Sequence, residues 1–423
     1  MNRFHHWIYD VKDSSTILKR STFWNLIASI LNASMTALIL FFLSWTGKKN
    51  MTGVFSIATA IAYQVQAIGL FGVRNYHITD VKNNFSFSDY FYVNVFSTCV
   101  MLFVLIFMSF GRGYTLDKAL IIFTFTLYRG IDIYEALFYD EYQRQDRIDI
   151  GLIFQTIRFF ISLILLVGTL LITDSLVWAC IVATLGSILL VIYQNKEFYK
   201  IFHCKINKFN KVNFKKLFTV CLPICIAGFI SMYLVNAPKY AIDANLTDEI
   251  QGIFAILFVP VFTINMIAMV IYRPYITKIS HEWHQNDYSH FIKDVVIQIA
   301  AILLLTCLII AFGYILGLRL LGIIYHTPLN SYNLEFTVLL LGGGMNTLAV
   351  FLSQILVIIE EQNKNFIIYI IAALATVILS TPLLEKYQIF GASILYVVAS
   401  LILVLLSLFI IFAKIKKERG KCA

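Results

Sequence analysis

Apolar runs of roughly 20 residues, the length that crosses a hydrocarbon core of about 30 Å, recur along this chain and leave little room for anything else. Read between charged interruptions, they give twelve spans, at about 22–45, 51–72, 90–110, 118–139, 150–172, 176–193, 217–238, 249–271, 291–313, 334–359, 366–383 and 390–412. Of 423 residues, 59% are hydrophobic and 13% charged, where a soluble chain carries roughly 25% charged residues. The predicted class is an all-α polytopic membrane protein. The first run starts near Thr22, has full length and lacks an A-x-A-like site, so no cleavable signal is expected.

The net charge of +9 first suggests an acidic partner such as nucleic acid, but its placement argues for topology. With the N-terminus inside, the inner segments hold 24 of the 33 Lys and Arg, the outer segments hold 7, and Arg129 and Arg158 lie within spans. That bias places both termini in the cytoplasm. It adds some attraction to anionic inner-leaflet lipid, and no nucleic-acid partner is expected.

The basic stretch "QNKEFYKIFHCKINKFNKVNFKK", 194–216, leaves six spans on each side. The predicted organisation is an N-terminal six-helix bundle over 1–193, a cytoplasmic linker over 194–216 and a C-terminal six-helix bundle over 217–423. "VRNYHITDV" (73–81) after span 2 and "YRPYITKIS" (272–280) after span 8 share Arg, Tyr, Ile and Thr in order. An even number of spans per half gives the two copies one orientation, a parallel repeat. Arg74, Asn75, Tyr76, Asp80 and Arg273 are therefore candidates for an inner gate or loop.

Several chemistries are disfavoured. Seven cysteines, mostly inside apolar runs and without C-x-x-C, read as packing residues. In "HEWHQNDYSH" (281–290) Gln285 stands where H-E-x-x-H needs its second histidine, so no metal site is expected. No P-loop is present, so the chain itself does not hydrolyse ATP. Outer loops such as "TGKKNM" leave little room for the catalytic carboxylates of a membrane polymerase or glycosyltransferase, and the chain reads as a non-enzyme.

Charges inside the bilayer are the main candidates for function, since each costs about 2.5–3.5 kcal/mol at its centre on insertion scales. Arg129, Asp132 and Glu135 stand three apart on one face of span 4. Arg158 lies about eight residues from the inner end of span 5, so antiparallel packing puts it level with Asp132. Two readings stay open for this group: a structural ion-pair cluster, or a water-filled path in which the arginines bind phosphate and the carboxylates bind a coupling ion. Span 7 ends "YLVNAPKYAIDANLTDE", where Pro238 is expected to open an irregular turn flanked by Asn236, Lys239, Tyr240 and Asp243. Lys239 and Asp243 can also simply pair at the interface. "GGG" at 342–344 reads as a close-packing point.

Twelve spans in two halves, "RNYHITD" after span 2 and "NAPKYAID" at the end of span 7 together resemble the Wzx-type polysaccharide flippases. These form a branch of the MOP exporter superfamily, beside the MATE antiporters and the lipid II flippase; the last typically has fourteen spans. The likeness covers nearly the whole chain. Many members read Arg-Asn-Tyr followed by Ser/Thr-Asp, here Arg74, Asn75, Tyr76, Thr79 and Asp80. Many read Asn-x-Pro-Arg-Tyr at the second site, where this chain has Lys239; lysine keeps the charge without the bidentate fork.

The resemblance implies a MATE-like V of two bundles around a cationic cavity. It implies export of undecaprenyl-pyrophosphate-linked oligosaccharide units, for O-antigen, capsule or a related polysaccharide, across a bacterial cytoplasmic membrane. Transport would need no cofactor and would be driven by a proton or sodium gradient, beside a polysaccharide polymerase and glycosyltransferases. In those terms Arg129, Arg158, Lys239 and Asn236 are substrate-binding candidates, and Asp132, Glu135 and Asp243 are ion-coupling candidates. The competing expectation is a MATE-type cation or drug antiporter, which favours an acidic cavity.

Overall fold

A computed structural model describes residues 13–78, 80, 84–202 and 206–422. Its first ten long helices are α1 Ser14–Trp45, α2 Lys49–Leu70, α3 Phe87–Phe110, α4 Leu116–Arg144, α5 Ile148–Thr173, α6 Leu176–Phe202, α7 Lys211–Asn245, α8 Asp248–His284, α9 Tyr288–Phe312 and α10 Asn333–Ile358. The last, α11, is Gln362–Cys422. Among the described residues, ten helices are long and apolar enough to cross a membrane. α4 falls outside that set because Arg129, Asp132 and Glu135 interrupt it, and α11 is two helices merged across Gln388, at φ 50 and ψ −128. With α4 added and α11 divided at Gln388, twelve helical segments among the described residues correspond to the twelve predicted spans. At the break in α11 a side chain on Gly391 would run into the backbone oxygen of Leu383, so only glycine lets the chain pack this closely there.

Contacts divide the chain into two compact units. The first comprises residues up to Phe42 together with Ala58–Phe229; the second comprises Leu43–Ile57 and Ile230–Ala423. The division thus runs through α1, α2 and α7 and not through the basic stretch at 194–216. Much of that stretch is helical, since α6 continues to Phe202 and α7 begins at Lys211.

In the first unit, aromatic packing gathers Phe87, Phe138, Tyr142 and Phe198 around the start of α3 and the end of α4. α3 begins at a capping box in which Ser86 and Asp89 satisfy one another's backbone N–H. In the second unit the glycines of α10 each face a different neighbour. A Cβ on Gly342 would stand 2.5 Å from Tyr396, one on Gly343 would stand 2.9 Å from Val261, and one on Gly344 would collide with Thr306. Close approach of small residues is how helices associate where lipid removes the hydrophobic drive. Gly344→Val should therefore destabilise the protein by about 1–3 kcal/mol or more through overpacking. A lowered thermal midpoint in detergent checks this; an unchanged one would mean that α9 yields freely.

Three local expectations give way. α8 continues to His284 instead of stopping near 271, and runs through Pro274. Consequently the two copies of the repeated motif join the preceding helix differently. The first opens as a short separate helix, Val73–His77, set off from α2 by the left-handed Phe71 (φ 50) and Gly72 (φ 67); the second, "YRPYITKIS", continues α8 without a break. α7 likewise stays helical through Pro238, so the expected irregular turn is absent. Pro238 removes only the one N–H that would have donated to the Leu234 carbonyl, and the bonds on either side carry the helix through.

Candidate functional site

The charges of α4 and α5 meet in one buried network within the first unit. Arg129 Nη2 lies 3.0 Å from Asp132 Oδ2, one turn along α4. Arg158 reaches across from α5, with Nη2 2.5 Å from Asp132 Oδ1 and 2.6 Å from Glu135 Oε2. Arg158 is 1% exposed and Glu135 1%, so these bonds form in a low-dielectric interior where they are strong and where loss of one partner is costly. The antiparallel register of α4 and α5 is what brings residues 26 apart in sequence to one depth.

α2 completes the network with polar groups that the sequence reading passed over. Gln66 Nε2 donates to Asp132 Oδ2 at 3.0 Å and to the backbone oxygen of Arg129 at 3.0 Å. The Tyr63 ring lies under the Arg129 guanidinium, 4.9 Å from its centroid, in a cation–π contact. Tyr128 OH stands 2.9 Å from Ser162 Oγ. The signal for α2 was available: Gln64 and Gln66 interrupt an otherwise apolar run, and a buried amide needs partners. Two arginines thus balance two carboxylates, and the Nε and Nη1 of Arg158 have no hydrogen-bond partner among the described residues.

Asn236, Lys239 and Asp243 are on α7 in the second unit, a group separate from the first. Asn236 Nδ2 returns to the backbone oxygen of Met232 at 3.0 Å. Lys239 is 7% exposed, and among the described residues no carboxylate pairs with it. Its ammonium lies 5.4 Å from the ring centroid of Phe258 and 6.0 Å from that of Phe262, both on α8. The expected Lys239–Asp243 pair does not form. Long helical side chains lean toward the N-terminus, which carries Lys239 away from a residue one turn ahead.

The first repeated motif clasps the C-terminal end of α4. Arg74 Nη1 is 3.2 Å from Asp140 Oδ1, its Nη2 is 3.3 Å from Gln143 Oε1, and its guanidinium covers the Tyr139 ring. His77 Nε2 lies 2.7 Å from Glu141 Oε2, with both side chains fully buried, and its ring stacks on Tyr90 at 4.1 Å. Arg144 Nη2 is 3.1 Å from the other oxygen of Glu141. Asp80 accepts from the backbone N–H of Asn84 and of Phe85, each at 2.9 Å, and from Tyr90 OH at 3.2 Å. Burial opposes ionisation of Asp80, yet these bonds hold its carboxyl below the ordinary range. Tyr76 packs against the neighbouring aromatic cluster. The Asn75 side chain and Thr79 lie outside the described residues. Arg273, its counterpart in the second motif, is exposed on α8.

Burial pushes the His77 imidazole below its usual 6.5 despite Glu141 beside it. A folded value below the unfolded one means that the unfolded chain binds more protons as pH falls through about 6.5, so stability drops on acidification in that window. His77→Gln should flatten the loss of thermal stability between about pH 7 and 5. An identical pH profile would place the acid sensitivity elsewhere.

No family model matches the sequence, and no curated protein matches it. Solved structures do. An outward-facing multidrug resistance MATE family transporter of the MOP superfamily aligns over 97% of both chains, at 11% identity and a TM-score of 0.60. The chain has the MATE fold. The Vibrio cholerae MATE transporter VcmN in its bent form aligns at 12% identity and a TM-score of 0.61, over 96% of this chain and 98% of that one. A MOP superfamily transporter from Pyrococcus furiosus, described by the reverse polarity of its binding pocket, gives 12% identity, a TM-score of 0.51 and coverage of 96% and 92%. Within the MATE fold of this chain, the buried ion-pair network belongs to the first unit and the uncompensated Lys239 to the second.

Proposed function

We propose that this multi-pass protein is an ion-coupled exporter whose cargo is anionic: a polyprenyl-pyrophosphate-linked oligosaccharide moved from the inner to the outer leaflet of a bacterial cytoplasmic membrane. The observation that carries this reading is Lys239. A buried ammonium whose partners among the described residues are two phenyl rings costs about 2.5–3.5 kcal/mol, and an anionic substrate is the partner that makes such a charge useful. The resemblance of "RNYHITD" and "NAPKYAID" to the polysaccharide flippases names the class of anion. Arg129 and Arg158 add cationic groups that Asp132 and Glu135 release once protonated or ion-bound. The same carboxylates then couple transport to a proton or sodium gradient. No catalytic role and no cofactor enters this reading, and the polymerase and glycosyltransferases that use and supply the cargo are its proposed partners.

The alternative, antiport of a small cation, draws on the multidrug resistance of one structural relative and on the carboxylates Asp132 and Glu135. One experiment separates the two. In cells lacking the gene, the leaflet holding the lipid-linked oligosaccharide is read with an impermeant glycan-cleaving reagent. Accumulation on the inner face, reversed by the wild-type gene, is the expected result. Normal outer-face delivery without a redundant transporter would overturn the flippase reading in favour of the antiporter.

A further inference from the structure

Ile206–Lys216, leading into and opening α7, sets exposed apolar side chains among its lysines, a mixture that topology and cargo do not explain. Ile206, Phe209 and Val212 are 46%, 52% and 62% exposed, on a stretch otherwise polar and basic. Lys208, Lys211, Lys215 and Lys216 are exposed among them, and no carboxylate among the described residues pairs with these four. The segment is nevertheless fixed in place. Asn207 donates its backbone N–H to Ser88 Oγ at 2.8 Å, and Tyr92 OH donates to the Asn207 oxygen at 3.0 Å. Asn213 Nδ2 holds Asp89 Oδ2 at 3.1 Å, and the Phe209 ring meets Tyr92 edge-on. A short, anchored segment that turns apolar side chains outward between lysines has the chemistry of an interfacial anchor.

We infer that Ile206–Lys216 is a docking site for anionic phospholipid, with Ile206, Phe209 and Val212 dipping into the acyl boundary and the lysines engaging headgroup phosphates. Charge complementarity decides the occupant. Lysines at the surface of an anionic leaflet are each drawn to it, and the basic bias places this segment on the side where such lipid lies. Water alone would leave the three apolar side chains without a reason for their exposure.

The test uses the full chain carrying Phe209→Trp, reconstituted in vesicles containing either brominated phosphatidylglycerol or brominated phosphatidylcholine. The fluorescence of the new indole is taken as the difference from the parent chain. Quenching by the anionic lipid is expected at a mole fraction at least about fivefold lower than by the zwitterionic one. Replacing all four lysines by glutamine in that background should erase the preference while the indole stays quenched. Equal quenching by both lipids in the parent of that series would overturn the anionic site and leave ordinary interfacial burial. No quenching by either would overturn the membrane seat altogether, as expected if the face is covered by another protein.

Discussion

Arg158→Ala is expected to cost about 3–5 kcal/mol of stability, because it strands the buried Glu135 carboxylate and takes one of two guanidinium partners from Asp132. Asp132 keeps Arg129 and Gln66, but Glu135 loses its arginine in a site with 1% exposure. A lowered thermal midpoint and reduced accumulation in the membrane are the first readouts. The quadruple variant Arg129→Met, Arg158→Leu, Asp132→Asn, Glu135→Gln removes all four charges together and should recover most of that stability, since a neutral, well-packed replacement for a buried ionic group is often no less stable. If the quadruple variant accumulates normally and yet exports nothing, the network serves transport. If it both accumulates and exports, the charges are structural alone, and the coupling role proposed for Asp132 and Glu135 is lost.

Lys239→Met is expected to move stability and transport in opposite directions. Removing the buried ammonium recovers about 2.5–3.5 kcal/mol of desolvation and forfeits up to about 2 kcal/mol of cation–π attraction to Phe258 and Phe262. The net is a protein roughly 1 kcal/mol more stable. Export should nonetheless fall about 10- to 100-fold, the equivalent of a charge-assisted hydrogen bond to a phosphate oxygen at about 1.5–3 kcal/mol. Lys239→Arg restores the charge and adds a bidentate fork, so it should retain export. Unchanged export in the methionine variant would remove the observation on which an anionic cargo rests.

The clasp at the end of α4 illustrates how position decides a residue's work. Arg74 and Asp80 stand in a motif that resembles a family signature, and both are bound locally: Arg74 to Asp140 and Gln143, Asp80 to the backbone of its own turn. His77, unremarkable in sequence, is the fully buried member. Asp80→Ala should cost about 1–3 kcal/mol, by leaving the hydroxyl of fully buried Tyr90 and the half-buried N–H of Phe85 without an acceptor. A midpoint shift in the purified protein checks it, and no shift would mean that solvent replaces the carboxylate.

The sequence by itself determined the number of passages, because a bilayer demands apolar runs of set length and this chain writes them plainly. It also located the costly charges at 129, 132, 135 and 158, since a charge in an apolar run is visible without coordinates. Helical spacing even put Arg158 level with Asp132. What only the tertiary structure decided is who satisfies whom. Gln66 and Tyr63 join the network from a helix distant in sequence, Lys239 turns to Phe258 and Phe262 instead of Asp243, and α7 and α8 run straight through Pro238 and Pro274. Hydropathy is a local sum, readable along one strand of text. A hydrogen bond or cation–π contact depends on which helix faces arrive at a few ångströms from one another, and packing across the whole bundle sets that.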